Sequence, residues 1–192
     1  MKMKIRVSFS GALMLAALIL THSYFSLAAI AVAFLHEMGH ICAAKACGIV
    51  LKELRLDIFG AAITPASSFY SYKQETVLAA AGPIVNIALG LALLPFYKCG
   101  EWVQMLTVAS FFLGTLNLLP IEGFDGGRVL YCILAVRLSQ GAVDRICGAI
   151  SFLTVFLIWS LSVYLLLTLG ASLSLFVFSY TLLCKMIGTA KA

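Results

Sequence analysis

The chain has 192 residues, 62% of them hydrophobic and only 11% charged, with a formal net charge of +5. A water-soluble domain cannot bury that much apolar side chain, so the composition excludes a soluble enzyme and implies a polytopic membrane protein. The positive charge then concerns membrane topology, and nucleic acid is not an expected partner.

Lys2, Lys4 and Arg6 form a basic leader to an apolar run from about Val7 to Leu20. Such a start can mimic a secretory signal, but it lacks a cleavage context and leads straight into another span, so a retained first helix is expected. Thr21 to Tyr24 is a polar turn, in which His22 reads better as an interfacial residue than as a metal ligand. Phe25 to about Cys47 is the second span, about 34 Å long at the helical rise.

Within this span lies His36-Glu37-Met38-Gly39-His40. Residues four apart share a helix face, so the two imidazoles can meet one metal ion. Glu37 stands beside them, where a carboxylate can take a proton from metal-bound water. Two histidines and a glutamate could instead pair in a core, but the apolar residues before them make that reading weak: ionisable groups at membrane depth are costly and mark function.

Gly48 to Glu75 is the longest stretch that is not a span. Its alternation from Val50 to Phe59, the turn at Gly60 and the stop at Pro65 predict a small membrane-surface β-hairpin. Such a hairpin could hold an extended substrate by strand addition, or it could be a plain connector. Thr76 to about Tyr97 is the third span, interrupted at Gly82-Pro83, with Asn86 needing a polar partner in the bundle. Trp102 is an interfacial anchor. Val103 to Leu119 is the fourth span.

Asn117 to Arg128 contains Pro120 and three glycines, a helix break that needs a protein-lined or wet setting, read as a re-entrant Gly-rich loop. Asp125 in this break is either a third metal ligand or the N-cap of the apolar stretch that follows, and Glu122 is its local competitor. Arg137 to Arg145 is a polar connector. Ile146 to Leu169 and Ala171 to Met186 are two scaffold spans joined at Gly170. Six spans place every basic residue except Lys98 on one side, which makes that side, with both termini, cytoplasmic. The 6 cysteines include no Cys-x-x-Cys pair and suggest buried thiols, not a disulfide framework.

Three motifs in this order, His36-Glu37-Met-Gly-His40, Ala81-Gly82-Pro83-x-x-Asn86 and Asn117-x-x-Pro120-x-x-x-x-Asp125-Gly126, resemble the site-2 protease family of intramembrane zinc metalloproteases (peptidase family M50). The likeness runs from Val7 to about Ala135 and is greatest to its sporulation-type branch, similar to stage IV sporulation protein FB, which releases a membrane-held pro-sigma factor. The resemblance implies one Zn2+ held by His36, His40 and Asp125, with Glu37 as catalytic acid/base and Asn117 positioning substrate or loop backbone. Asn86 is placed with Asn117 in substrate binding, and Gly48 to Pro65 takes the role of a substrate-facing strand. It further implies a membrane-tethered protein substrate, regulated intramembrane proteolysis in a bacterial cell membrane, and regulator proteins as possible partners. Residues 1–192 are expected to form a single transmembrane metalloprotease domain (core about 7–135, two further helices at 146–187) without a CBS or PDZ domain. Gly123 stands where relatives often have proline, which leaves the loop less rigid. Two other readings keep the same residues: a metal or ion transporter, and a catalytically idle binder of a membrane protein. The transporter would need a second His or acidic cluster, absent from the last two spans.

Overall fold

The computed structural model describes residues 4–7, 23–57, 60–65, 71–170 and 173–189. The chain divides into two compact units, Met1–Leu118 and Leu119–Ala192.

The first unit contains a small sheet and three packed helices. Strand β1 (Lys4–Val7) lies where the sequence reads only as a basic leader. It runs parallel to β2 (Leu51–Asp57), with Lys4 opposite Glu53 and Val7 opposite Leu56. On its other side β2 pairs antiparallel with β3 (Gly60–Pro65), Leu54 facing Ile63, with an irregularity between Leu51 and Glu53. The expected pair of strands is therefore part of a three-stranded sheet in the order β1-β2-β3. A four-residue strand has too little pattern to announce itself, and its partner is some fifty positions away.

Helix α1 (Tyr24–Ala46) starts at Ser23, whose hydroxyl accepts from the Phe25 N–H at 3.2 Å. Helix α2 (Tyr72–Leu93) starts with a reciprocal cap: Gln74 N–H donates to the Ser71 hydroxyl, and Ser71 N–H donates to the Gln74 side chain. The Gln74 amide also donates to Cys47 O at 3.1 Å, tying the start of α2 to the end of α1. The expected interruption at Gly82-Pro83 does not occur, and α2 runs through both residues. Among apolar helices, a proline's missing N–H and bulky ring can be absorbed without breaking the helix. A 3-10 turn (Leu94–Cys99) leads to α3 (Glu101–Asn117).

The three helices pack through small residues. Ala28, Val32 and Ala109 form one buried cluster, flanked by Leu89, Met105, Leu106 and Leu113. A Cβ on Gly90 would stand 3.1 Å from the Phe111 ring, so the glycine makes room for an aromatic knob. At one end Tyr24 and Trp102 meet edge to face, 6.3 Å between centroids, as aromatic residues do where a bundle meets an interface.

The second unit holds α4 (Asp125–Ala135), α5 (Gln140–Leu169) and α6 (Leu173–Thr189). The expected connector Arg137 to Arg145 is mostly helical, because α5 begins at Gln140 behind Ser139. It ends at Gly170, whose φ of 58° is the left-handed conformation that terminates helices. Ser162 and Ser179 share a 2.8 Å hydrogen bond between α5 and α6.

Among the described residues, three helical segments are long and apolar enough to cross a membrane: Tyr24–Ala46, Tyr72–Cys99 and Gln140–Thr168. Six spans were expected. The first lies outside the described residues apart from Val7, and the fourth and sixth correspond to α3 and α6, each of 17 residues. The fold is thus mainly helical with one small sheet.

Candidate metal centre

The buried stripe of α1 is Ala28, Val32, His36, His40 and Ala44, each four residues from the next. Helical periodicity alone therefore brings both histidines onto the face that meets α2. Each is only 5% exposed. The Nε2 atoms of the two rings are 3.1 Å apart, and the rings stand nearly perpendicular at 83°. Two nitrogens bound to one tetrahedral zinc at its usual bond length lie about 3.3 Å apart.

Glycine lets α2 approach this pair. A Cβ on Gly82 would stand 2.7 Å from His36 Nε2 and collide with the His40 ring as well. From the other side, a Cβ on Gly39 would come within 2.9 Å of Ala81 O. The Gly82-Pro83 pair of the sequence thus does not break a helix; it clears the space over the histidines.

The outer nitrogen of each ring is also held. His40 Nδ1 lies 2.7 Å from Leu78 O. A carbonyl only accepts, so His40 carries its proton on Nδ1 and presents a bare Nε2. His36 Nδ1 lies 3.0 Å from the side-chain amide of Asn86, which is fully buried. Two proton patterns satisfy this pair. With the His36 proton on Nε2, it is donated to His40, and Asn86 Nδ2 donates to His36 Nδ1. With the proton on Nδ1, it is donated to Asn86 Oδ1 after the amide turns over, and both Nε2 lone pairs face one point. Asn86 Oδ1 otherwise has no hydrogen-bond partner. Turning the amide exchanges an unpaired acceptor for an unpaired donor, so the amide does not choose between the patterns. The metal does, since only the second offers it two ligands. Two buried imidazoles with oriented outer nitrogens, spaced as tetrahedral ligands, fit zinc.

Glu37 is half-buried and next in sequence to His36, so it leaves the buried stripe by a 100° turn of the helix. Asn117 is the last residue of α3, half-buried, with its amide donating to Leu113 O at 3.0 Å. Asn86, which the family resemblance places in substrate binding, sits against His36. Its polar atoms were legible as needing a partner, but the partner lies 50 positions away.

In the second unit Asp125 is the first residue of α4, not its cap. The N-cap is Phe124, and no side chain caps the helix. The capping alternative is therefore not what the chain adopts. Asp125 is 8% exposed, and its carboxylate accepts from Arg128 at 3.4 Å, one turn on. An acid in the first helical turn is favoured by the helix dipole. The preceding loop turns at Gly123, where φ is 93°. His22, the residue read as interfacial, lies outside the described residues.

Comparison with known proteins gives a consistent result. Residues 24–100 match the family model Peptidase family M50. Zinc metalloprotease MJ0392 of Methanocaldococcus jannaschii is 32% identical over 111 residues, which is 54% of this chain and 32% of that protein. The chain thus spans about a third of that relative's length. The structure of a site-2 protease from Methanocaldococcus jannaschii superposes with a TM-score of 0.66, covering 98% of this chain and 91% of the other at 22% identity. The M50 match contains both histidines, Glu37, Gly82 and Asn86, and ends before Asp125. Residues 24–100 are thus similar to peptidase family M50, and the chain shares the fold of the archaeal site-2 protease structure.

Proposed function

We propose that this chain is an intramembrane zinc metalloprotease that hydrolyses a peptide bond in or near a membrane-embedded segment of a protein substrate. The observation that carries the reading is the 3.1 Å approach of His36 Nε2 and His40 Nε2, each ring held at its outer nitrogen. His36, His40 and Asp125 are the proposed ligands, a set of two imidazoles and one carboxylate that leaves a coordination position open. When bound, zinc supplies Lewis acidity, acidifying water and polarising a carbonyl. Glu37 accepts the proton from water and passes it to the leaving amine. Leu78 O fixes the tautomer of His40, and Asn86 orients the ring of His36. Asn117 positions substrate or loop backbone.

A transmembrane helix is a poor substrate, because its backbone hydrogen bonds are all made internally. The outer edge of β3 offers replacement bonds to a segment that unwinds. Successive residues of a strand point their N–H groups to opposite sides, so of Ala62→Pro and Ile63→Pro one alters the outer edge. That variant is expected to lose cleavage while keeping its zinc; equal loss of zinc makes the sheet structural.

The whole described chain would act as one transmembrane domain, with α3 and α6 crossing as short spans through local thinning of the bilayer. The distribution of Lys and Arg supports cytoplasmic termini, with the hairpin and the re-entrant loop on that side. Processing of a pro-sigma factor in a bacterial cell membrane is the substrate reading that the sporulation-type motif likeness supports.

The test is cleavage of a co-expressed membrane-tethered substrate by the native chain and by Glu37→Gln, with zinc measured in both. Loss of cleavage by about 10²–10⁴-fold with zinc retained is expected. Equal cleavage by both proteins contradicts the proposed role of Glu37.

A further inference from the structure

The loop between Leu119 and Asp125 raises a question that its sequence poses: with Gly123 where a proline would stiffen it, what fixes its shape? Its backbone closes two short turns, Ile121 N–H to Leu119 O at 2.8 Å and Phe124 N–H to Ile121 O at 3.0 Å. These are local and leave the loop's placement on its own unit undetermined. The placement comes from α5. The Ser151 hydroxyl accepts from Glu122 N–H at 2.9 Å and lies 3.2 Å from Pro120 O, to which it donates. One side chain, 2% exposed, thus uses its donor and an acceptor site on the two residues flanking Ile121. Val155, one turn further along the same face of α5, is fully buried against Ile121 together with Leu182. The loop also lies close against the first turn of α4, where a Cβ on Gly127 would collide with Ile121 O.

We infer that Ser151 is a positioning residue for Asp125: its hydroxyl clamps the loop from both sides of Ile121 and so sets where the Asp125 carboxylate is presented to the metal. The inference rests on Asp125 being a ligand. It gives α5, which the sequence reads as scaffold, a part in the metal centre through a single hydroxyl. Ser162, eleven residues on, is equally buried but bonds Ser179 and is not among the loop's hydrogen-bond partners. It serves as the internal control.

The experiment is a Co2+ titration of the full chain, metal-stripped in detergent, reading the visible ligand-field spectrum and the dissociation constant. Ser151→Ala is expected to shift the spectrum and weaken binding by about 10-fold, the lower end of what loss of a ligand-orienting partner costs. Ser151→Thr restores both, since it keeps the hydroxyl. Ser151→Cys, which fills the space but bonds weakly, behaves as alanine does and covers the case in which the alanine variant does not fold. Ser162→Ala leaves the spectrum native. A native spectrum and affinity in Ser151→Ala overturn the inference, as does an equal change in Ser162→Ala. Asp125→Ala separates the two layers. If it alters the spectrum while Ser151→Ala does not, only the clamp fails; if it leaves the spectrum native, the ligand assignment of Asp125 fails first.

Discussion

His36 and His40 owe their relation to one regular helix, whereas Asp125 owes its place to a loop shaped by residues far along the chain. In the first region the four-residue spacing sets the face, and two glycines, Gly39 and Gly82, admit the neighbouring helix. In the second, a left-handed glycine turns the chain and a hydroxyl 29 and 31 positions away holds it. The histidine pair is therefore robust to changes in loops and sensitive to changes in helix packing. The aspartate is the reverse.

The strongest way to break the first half of this comparison is Gly82→Ala. Alanine favours a helix by about 1 kcal/mol over glycine, so the helix itself should not suffer. Its methyl group, however, occupies the space beside both Nε2 atoms. Zinc content measured on the folded protein should fall to near zero. Retention of zinc would mean that the rings can move aside together.

A smaller and more informative change is at Asn86. Asn86→Ala removes the partner of His36 Nδ1 and should weaken zinc binding by about 10–100-fold. Asn86→Asp should bind zinc more tightly than Asn86→Ala, because a carboxylate accepts the Nδ1 proton and favours the pattern in which both Nε2 atoms are bare. Equal affinities of the alanine and aspartate variants would show that ring tautomer does not limit binding.

The smallest effect is expected in the loop. Gly123→Ala places a Cβ at a φ of 93° and should cost about 1 kcal/mol of stability, read as a modest fall in melting temperature. A proline there cannot take this φ at all, so Gly123→Pro would require a different loop path.

The same division explains what could be read from the chain beforehand. His36, Glu37 and His40 are legible because ligand spacing and helical period coincide within five residues. Gly82, Pro83 and Asn86 were visible as oddities in an apolar run, but their meaning depends on which face α2 turns to α1, and that is a matter of packing. Strand β1 and the serine clamp depend on pairings across dozens of residues, for which a short strand or a lone serine carries no local signal. Composition suggests more spans than helix length does, because 17-residue helices such as α3 and α6 are as apolar as a span but shorter than most.

Zinc K-edge X-ray absorption on the purified protein tests the centre most directly. Two imidazole nitrogens at about 2.0–2.1 Å, with oxygen completing the shell and no sulfur, is the expected result. A sulfur contribution at about 2.3 Å, from any of the 6 cysteines, or no more than one imidazole, would contradict the histidine pair as the heart of this protein.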